Sequence, residues 1–307
     1  MSRLLTPATT SAWEWRATGT TWRIHHGGGV TDALARAVAE AVERDEARWS
    51  RFRADSEVSR INVAAGSPVH VSLDTVRILE ACTAWSARSG GVFQPLVGGT
   101  LVAWGYRRSL LDEPAHAPTS PPAHALHGRI GLDPARRLAW IPRRTRLDLG
   151  GIAKSWIACR AAALLAARCE DPALLVDAGG DLVAARGDHI VAVEAPGGRD
   201  LDASPSRPAV AHVLVRAGQG VATSGYGRRR WRNGDGQEAH HLIDPDTGRP
   251  GPATHATVVS NDPVAADVLA KVLALRPERI AGIEEAAMVS ADGVVRTTAR
   301  WDEVARQ

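Results

Sequence analysis

Residues 145–160 read T-R-L-D-L-G-G-I-A-K-S-W-I-A-C-R, and no other stretch restricts the fold as much. Leu147 and Leu149 alternate with polar neighbours, which predicts a strand. Gly150 and Gly151 interrupt it, and Ile152, Trp156, Ile157 and Cys159 then recur at helical spacing. The result is a strand–turn–helix corner with Asp148 before the turn and Lys154 in the first helical turn. Helix starts carry free N–H groups and partial positive charge, so such a corner suits an anionic ligand. A nearby carboxylate suits a sugar hydroxyl or a metal.

Lysine usage sharpens this reading. Of 37 basic residues only Lys154 and Lys271 are lysine, and all the others are arginine. Arginine already serves wherever surface charge is enough, so the retained lysines point to places needing a compact, mobile ammonium rather than a planar fork. The net charge of +3 is small and its basic residues are scattered apart from the run at Arg228, Arg229 and Arg230, which reads as an exposed run. That pattern argues against a nucleic-acid partner. No apolar run approaches the length of a membrane span, so no membrane insertion is expected. Cys82, Cys159 and Cys169 lack metal-ligand or disulfide spacing, and with a polar N-terminus they lead to an expected cytoplasmic location.

Strand and helix patterns alternate loosely along the rest of the chain. Residues 20–26 predict a strand ended by Gly27, Gly28 and Gly29. Val30, Leu34, Val38 and Val42 place an amphipathic helix over 30–49, with Glu40, Glu43, Arg44 and Asp45 on its polar face. Asp55 or Ser56 caps a short helix, and another helix runs over 74–89 to Gly90 and Gly91. Residues 90–106 read as a glycine-punctuated loop with a short helix, and 112–127 as a Pro- and His-rich surface loop in which His116, His124 and His127 are solvated. Further strands are expected at 174–182, 189–194, 209–215, 220–223 and 256–260, and Asp262 with Pro263 opens a last helix. The expected class is α+β, with mixed or antiparallel sheets and flanking helices. A single catalytic domain over 20–300 is expected, between an N-terminal extension (1–19) and a C-terminal tail (301–307).

None of the strong nucleotide, hydrolase or zinc motifs is present. Instead Asp148, Asp177, Asp181, Ser224, Asp244 and Asp267 each sit where an apparent strand meets Gly, Pro or a helix start, a type of place that suits phosphates and hard cations. Asp177 and Asp181 read more readily as turn-capping residues than as ligands, and His240 as a solvent-facing neighbour of His241.

In order, S-R-F-R-A-D-S-E-V-S-R-I-N, F-Q-P-L-V-G-G-T-L-V-A-W-G-Y, D-L-G-G-I-A-K-S, V-D-A-G-G-D, A-T-S-G, H-H-L-I-D-P-D-T-G-R-P and A-A-D-V-L-A-K resemble the ApbE family of FAD:protein FMN transferases over residues 20–275. The resemblance implies an enzyme that splits FAD, joins its FMN half through a phosphoester bond to a Thr or Ser of an acceptor flavoprotein, and releases AMP. It implies that Asp148 and Lys154 contact FAD, with Thr18, Phe52, Val92, Phe93, Gln94, Thr223, Ser224 and Ile243 completing the cofactor site. It further implies Mg²⁺ held by the Gly151 carbonyl and the Asp267 side chain, and His241 as the base acting on the acceptor hydroxyl. Imidazole suits that task because it titrates near working pH. Lys154 and a turn at Thr223, Ser224 and Gly225 would help neutralise the diphosphate.

This chain departs from the family pattern at several positions. Lys271 stands where the family usually has a Thr ligand, and an ammonium cannot ligate a metal. Gln94 replaces a common Asp, Thr18 a Met and Phe52 a Tyr. An FAD-storing protein and a hydrolase giving FMN and AMP remain open as alternatives.

Overall fold

Alternating residues in Ser11–Ala17 and Thr20–His26 form a hairpin, with Trp22 and Ile24 buried and Arg23 and His25 on the opposite face. In the computed structural model this hairpin is one edge of an eight-stranded sheet. The structure describes residues 2–4, 11–106, 124–126, 128–194, 209–227, 230–252, 254–283, 285–290, 294–301 and 305–306. Most of the expected 112–127 loop, including His116 and His127, lies outside the described residues, as do Arg228 and Arg229. The chain divides into two units, Met1–Arg44 with Lys154–Arg228 and Ala253–Gln307, and Asp45–Ala153 with Arg229–Pro252.

In the first unit the sheet runs, in spatial order, Val295–Thr297, Glu285–Ser290, Thr254–Ser260, Gly220–Gly225, Leu182–Arg186, Leu174–Ala178, Thr20–His26 and Ser11–Ala17. Every pairing in it is antiparallel, so the expected α+β class holds with antiparallel rather than mixed sheets. A second, four-stranded sheet joins Ser2–Leu4, His189–Glu194, Ala209–Val215 and Ala305–Arg306. Leu175, Leu182, Val221 and Val259 of the large sheet pack with Val191, Val193, Val213 and Val215 of the small one, and Trp301 closes this core. Ser2–Leu4 and Ala305–Arg306 are the outer strands of this sheet.

The helices follow their local signals closely. Helix α1 (Asp32–Trp49) buries Ala35, Val38 and Val42. Its expected polar face is wrong at one place: Asp45 is buried, because Arg48 one turn on reaches it at 2.9 Å and also reaches Asp74 at 3.1 Å. Ser56 caps α2 (Glu57–Val63), and Ser72 caps α3 (Leu73–Arg88). The short α4 (Gly98–Ala103) follows, then α5 (Ala153–Arg168). Asp262 accepts from the Val264 N–H at 2.9 Å and Pro263 takes the first position of α6 (Pro263–Leu275), which packs on Gly220–Gly225 and Thr254–Ser260. The second unit combines α2, α3 and α4 with short antiparallel pairings, and Leu101, Trp104, Trp231, Ala239 and Ile243 form its aromatic-rich core.

His25 gives the first unit a measurable pH dependence. Burial, reinforced by the charges of Arg23, His189 and His26, pulls its imidazole down to about 4. The folded value lies below the unfolded one of roughly 6.5, so the unfolded chain binds the extra proton and stability falls as pH drops from about 6.5 towards 4. The loss reaches at most about 3 kcal/mol. Denaturant midpoints measured across that range should fall more steeply for the native chain than for His25→Gln, and equal slopes would contradict this assignment.

Candidate active site

The corner at 145–153 is not the end of a sheet strand, as its alternation suggested. Its one ladder contact is an isolated parallel bridge between Arg146 and Val97. Its backbone is satisfied by a side chain instead: Asn62 Nδ2 donates to the Leu147 carbonyl at 3.0 Å, and the Leu147 N–H donates to Asn62 Oδ1 at 2.6 Å. Asp148 N–H then donates to the Pro95 carbonyl at 2.8 Å, which brings the loop carrying Gln94 beside the corner. Asn62→Ala should destabilise the fold by about 2–3 kcal/mol, since it strands two part-buried backbone groups. Chemical denaturation checks this, and a shift under about 0.5 kcal/mol would show that other groups hold the corner.

Asp148 is held from two sides. One carboxylate oxygen accepts from Arg51 Nε and the other from the Gly150 N–H at 2.6 Å. Arg51 also donates to the Tyr106 carbonyl at 2.8 Å, and its guanidinium lies 4.1 Å from the Phe52 ring centroid and 4.7 Å from that of Tyr106. Tyr106 meets Phe52 edge-on and stacks on Trp231, both at 5.6 Å. Phe52 is 42% exposed, so this ladder of rings and guanidinium ends in an open aromatic face. Arg51, Tyr106 and Trp231 were not singled out from sequence. An Arg next to an aromatic, in a chain this rich in arginine, gives no local signal of its partner.

The other expected cofactor residues of the second unit are less open. Val92, Phe93 and Ile243 are buried, and Gln94 turns its Oε1 back to accept from the Leu96 N–H at 3.0 Å. Gly151 lies in the turn that leads into α5, where the Ala153 N–H donates to the Leu149 carbonyl at 2.8 Å. His240 is not the solvent-facing neighbour expected from sequence. His240 is the buried one, bonded through Nε2 to the Gly251 carbonyl at 3.1 Å, and burial holds its imidazole below the ordinary histidine range. His241 is half-buried between the strands Glu238–His240 and Ile243–Asp244.

In the first unit, Lys154 and Asp267 belong to one buried cluster. Lys154 Nζ pairs with Asp181, and the neighbouring Ser155 hydroxyl donates to Asp267 Oδ2 at 2.9 Å. Lys271 Nζ pairs with Asp267 Oδ1 from one turn further along α6. Burial raises the Asp267 carboxyl above the usual carboxylate range; Lys271 opposes that, Asp181 adds to it and Lys154 opposes it. Asp181 closes a tight turn after Leu174–Ala178. In that turn Gly179 adopts φ 74°, where an added Cβ would meet Thr20 Oγ1 at 2.0 Å. Asp177 caps the turn through the Gly180 N–H at 2.7 Å.

Thr223, Ser224 and Gly225 are not a turn but the last residues of the strand Gly220–Gly225, where antiparallel pairing with Thr254–Ser260 satisfies their backbone. Thr223 Oγ1 sits 2.9 Å from Thr257 Oγ1, and Ser224 is buried. Thr18 occupies the turn between Ser11–Ala17 and Thr20–His26 with φ 50°, and its hydroxyl accepts from Trp22 Nε1 at 3.0 Å.

The residues expected to hold Mg²⁺ do not fit a divalent ion. Both oxygens of Asp267 are occupied by donors, its side chain is 1% exposed, and Lys271 brings an ammonium where a ligand would be needed. Among the described residues no group of three or more His, Cys, Asp and Glu is arranged to hold a metal.

The FAD:protein FMN transferase of Treponema pallidum is 32% identical over 225 residues, which cover 68% of this chain and 61% of that protein. The chain therefore spans less than two thirds of that relative's length. An ApbE protein structure from Thermotoga maritima matches 97% of this chain and 100% of its own at a TM-score of 0.79 and 21% identity, a likeness of fold. The flavinyl transferase ApbE of Pseudomonas stutzeri, in its apo form, matches 96% of each chain at a TM-score of 0.73 and 26% identity. The family model described as ApbE matches residues 18–290, and on that extent the chain belongs to the ApbE family.

Proposed function

We propose that this chain is an FAD:protein FMN transferase, acting on FAD as donor and on a Thr or Ser hydroxyl of a flavoprotein as acceptor. The observation that carries this reading is the family match over residues 18–290, the stretch that contains Asp148, Lys154, His241 and Asp267. In the proposed reaction the acceptor oxygen attacks the FMN phosphorus, the bond to the bridging oxygen of the diphosphate breaks, and AMP leaves. His241 takes the hydroxyl proton. The open Phe52 face and the adjacent Arg51 offer a stacking surface for a flat ring of FAD, and Asp148, tied to Arg51 and Gly150, offers a fixed acceptor. To Lys154, which pairs with Asp181, we assign the charge that opposes the diphosphate, and to Thr223 and Ser224, at the end of the strand Gly220–Gly225, a polar contribution. No separate role is assigned to Thr18, Val92, Phe93, Gln94 and Ile243, and no step to Mg²⁺ or to the Gly151 carbonyl.

The three cysteines are free and two are buried, and burial pushes the Cys159 thiol up to about 12, which leaves it inert at neutral pH. We place the activity in the cytoplasm on that ground. No helix among the described residues is long and apolar enough to cross a membrane.

The test is incubation with FAD and an acceptor flavoprotein carrying a Thr or Ser flavinylation site, followed by intact mass. An acceptor gaining one FMN with stoichiometric AMP supports transfer. AMP without an adduct would replace the reading with hydrolysis, and copurifying FAD without turnover would replace it with storage.

A further inference from the structure

Both lysines of the chain stand in the same buried cluster, each paired with a different aspartate: Lys154 with Asp181, and Lys271 with Asp267. Ser155, the chain neighbour of Lys154 on α5, donates to the other carboxylate oxygen of Asp267, and the charges of Lys154 and Asp181 are felt at that carboxyl. Every other basic residue is arginine, which carries the same charge but as a broad fork that does not fit a point contact. In both pairs the carboxylate already has an ammonium beside it.

We propose that the Lys271 ammonium is the resident cation at Asp267, in the place the family resemblance gives to Mg²⁺, so that this chain binds no divalent ion there. To ligate Asp267, a divalent ion would have to displace an ammonium anchored one helical turn away on the same helix, and would then sit beside it as a like charge. It would also have to shed its water to enter a site whose carboxylate is almost wholly enclosed, and Mg²⁺ dehydrates reluctantly. The ammonium meets none of these obstacles, because its tether supplies it at a fixed position.

The test titrates the native chain with Mn²⁺ alone, without FAD or acceptor, and follows the free ion by electron paramagnetic resonance. The expected result is no saturable binding tighter than about 1 mM. Lys271→Thr is expected to gain a saturable Mn²⁺ site that is lost again when Asp267→Asn is added. Saturable binding to the native chain that Asp267→Asn removes would overturn the proposal, as would a folded Lys271→Thr chain that still binds nothing. If Lys271→Thr does not fold, the native titration decides alone. A second arm rests on the transferase reading: excess EDTA should leave the native transfer rate unchanged, and a rate abolished by EDTA and restored by Mg²⁺ would overturn the proposal. Absence of transfer under every condition would refute the transferase reading, while the Mn²⁺ titration would still stand as the test of the resident cation.

Discussion

His241→Ala is expected to lower FMN transfer by about 10²–10⁴-fold while leaving FAD affinity within a factor of a few, since general-base assistance contributes on that scale. The argument starts from the two adjacent imidazoles. His240 is buried with its Nε2 committed to the Gly251 carbonyl, and burial disfavours its charged form, so it is poorly suited to accept a proton from an external alcohol. His241 is half-buried between two short strands, with part of its surface left to solvent. Chemistry at a hydroxyl brought in by a second protein needs the more open ring. His240→Ala should therefore behave differently: a lower melting temperature from the lost contact to Gly251, with the transfer rate of the remaining folded protein kept within about tenfold. Single-turnover transfer with saturating FAD, together with FAD titration of each variant, separates the two effects. A His241→Ala chain that transfers at the native rate would remove this residue from the mechanism.

Features set by neighbouring residues were legible in the sequence. Asp262 and Pro263 announce the start of α6, Ser56 caps α2, and the Asp267–Lys271 pair follows from one helical turn. Features set by distant residues were not. The stretch around Leu147 reads as a strand because it is extended and alternates, but its hydrogen bonds go to the side chain of Asn62, 85 positions earlier, which no periodicity reports. Ser155 meets Asp267 across 112 positions and Arg51 meets Asp148 across 97, so the partners of two expected site residues emerged only with the fold. The expected turn at Thr223, Ser224 and Gly225 is not formed. The strand continues through Gly225, where an added Cβ would run into the His255 ring at 2.1 Å, so that glycine marks a close approach rather than a bend.

Lys271→Met is expected to destabilise the fold by about 3–5 kcal/mol near neutral pH, because it keeps the length of the side chain and removes the charge that compensates an enclosed carboxylate. Asp267 is 1% exposed, so after the substitution it must either stay ionised with only Ser155 as donor or take up a proton. The reciprocal change, Asp267→Leu, should cost less. The Lys271 side chain keeps 14% exposure, and a four-carbon stem lets the ammonium move towards water. Combining Asp267→Leu with Lys271→Met should recover most of the loss, as replacing a whole buried pair by apolar groups is often close to neutral. This double-mutant cycle, read by chemical denaturation, distinguishes a compensated buried pair from an incidental surface contact: for the latter, each single change would lie within about 0.5 kcal/mol and the coupling would vanish. The proton uptake also has a sign. In Lys271→Met the enclosed carboxyl no longer has the ammonium to oppose the upward push of burial, so the folded chain holds a proton that the unfolded chain releases, and the variant should regain stability relative to native as the pH is lowered.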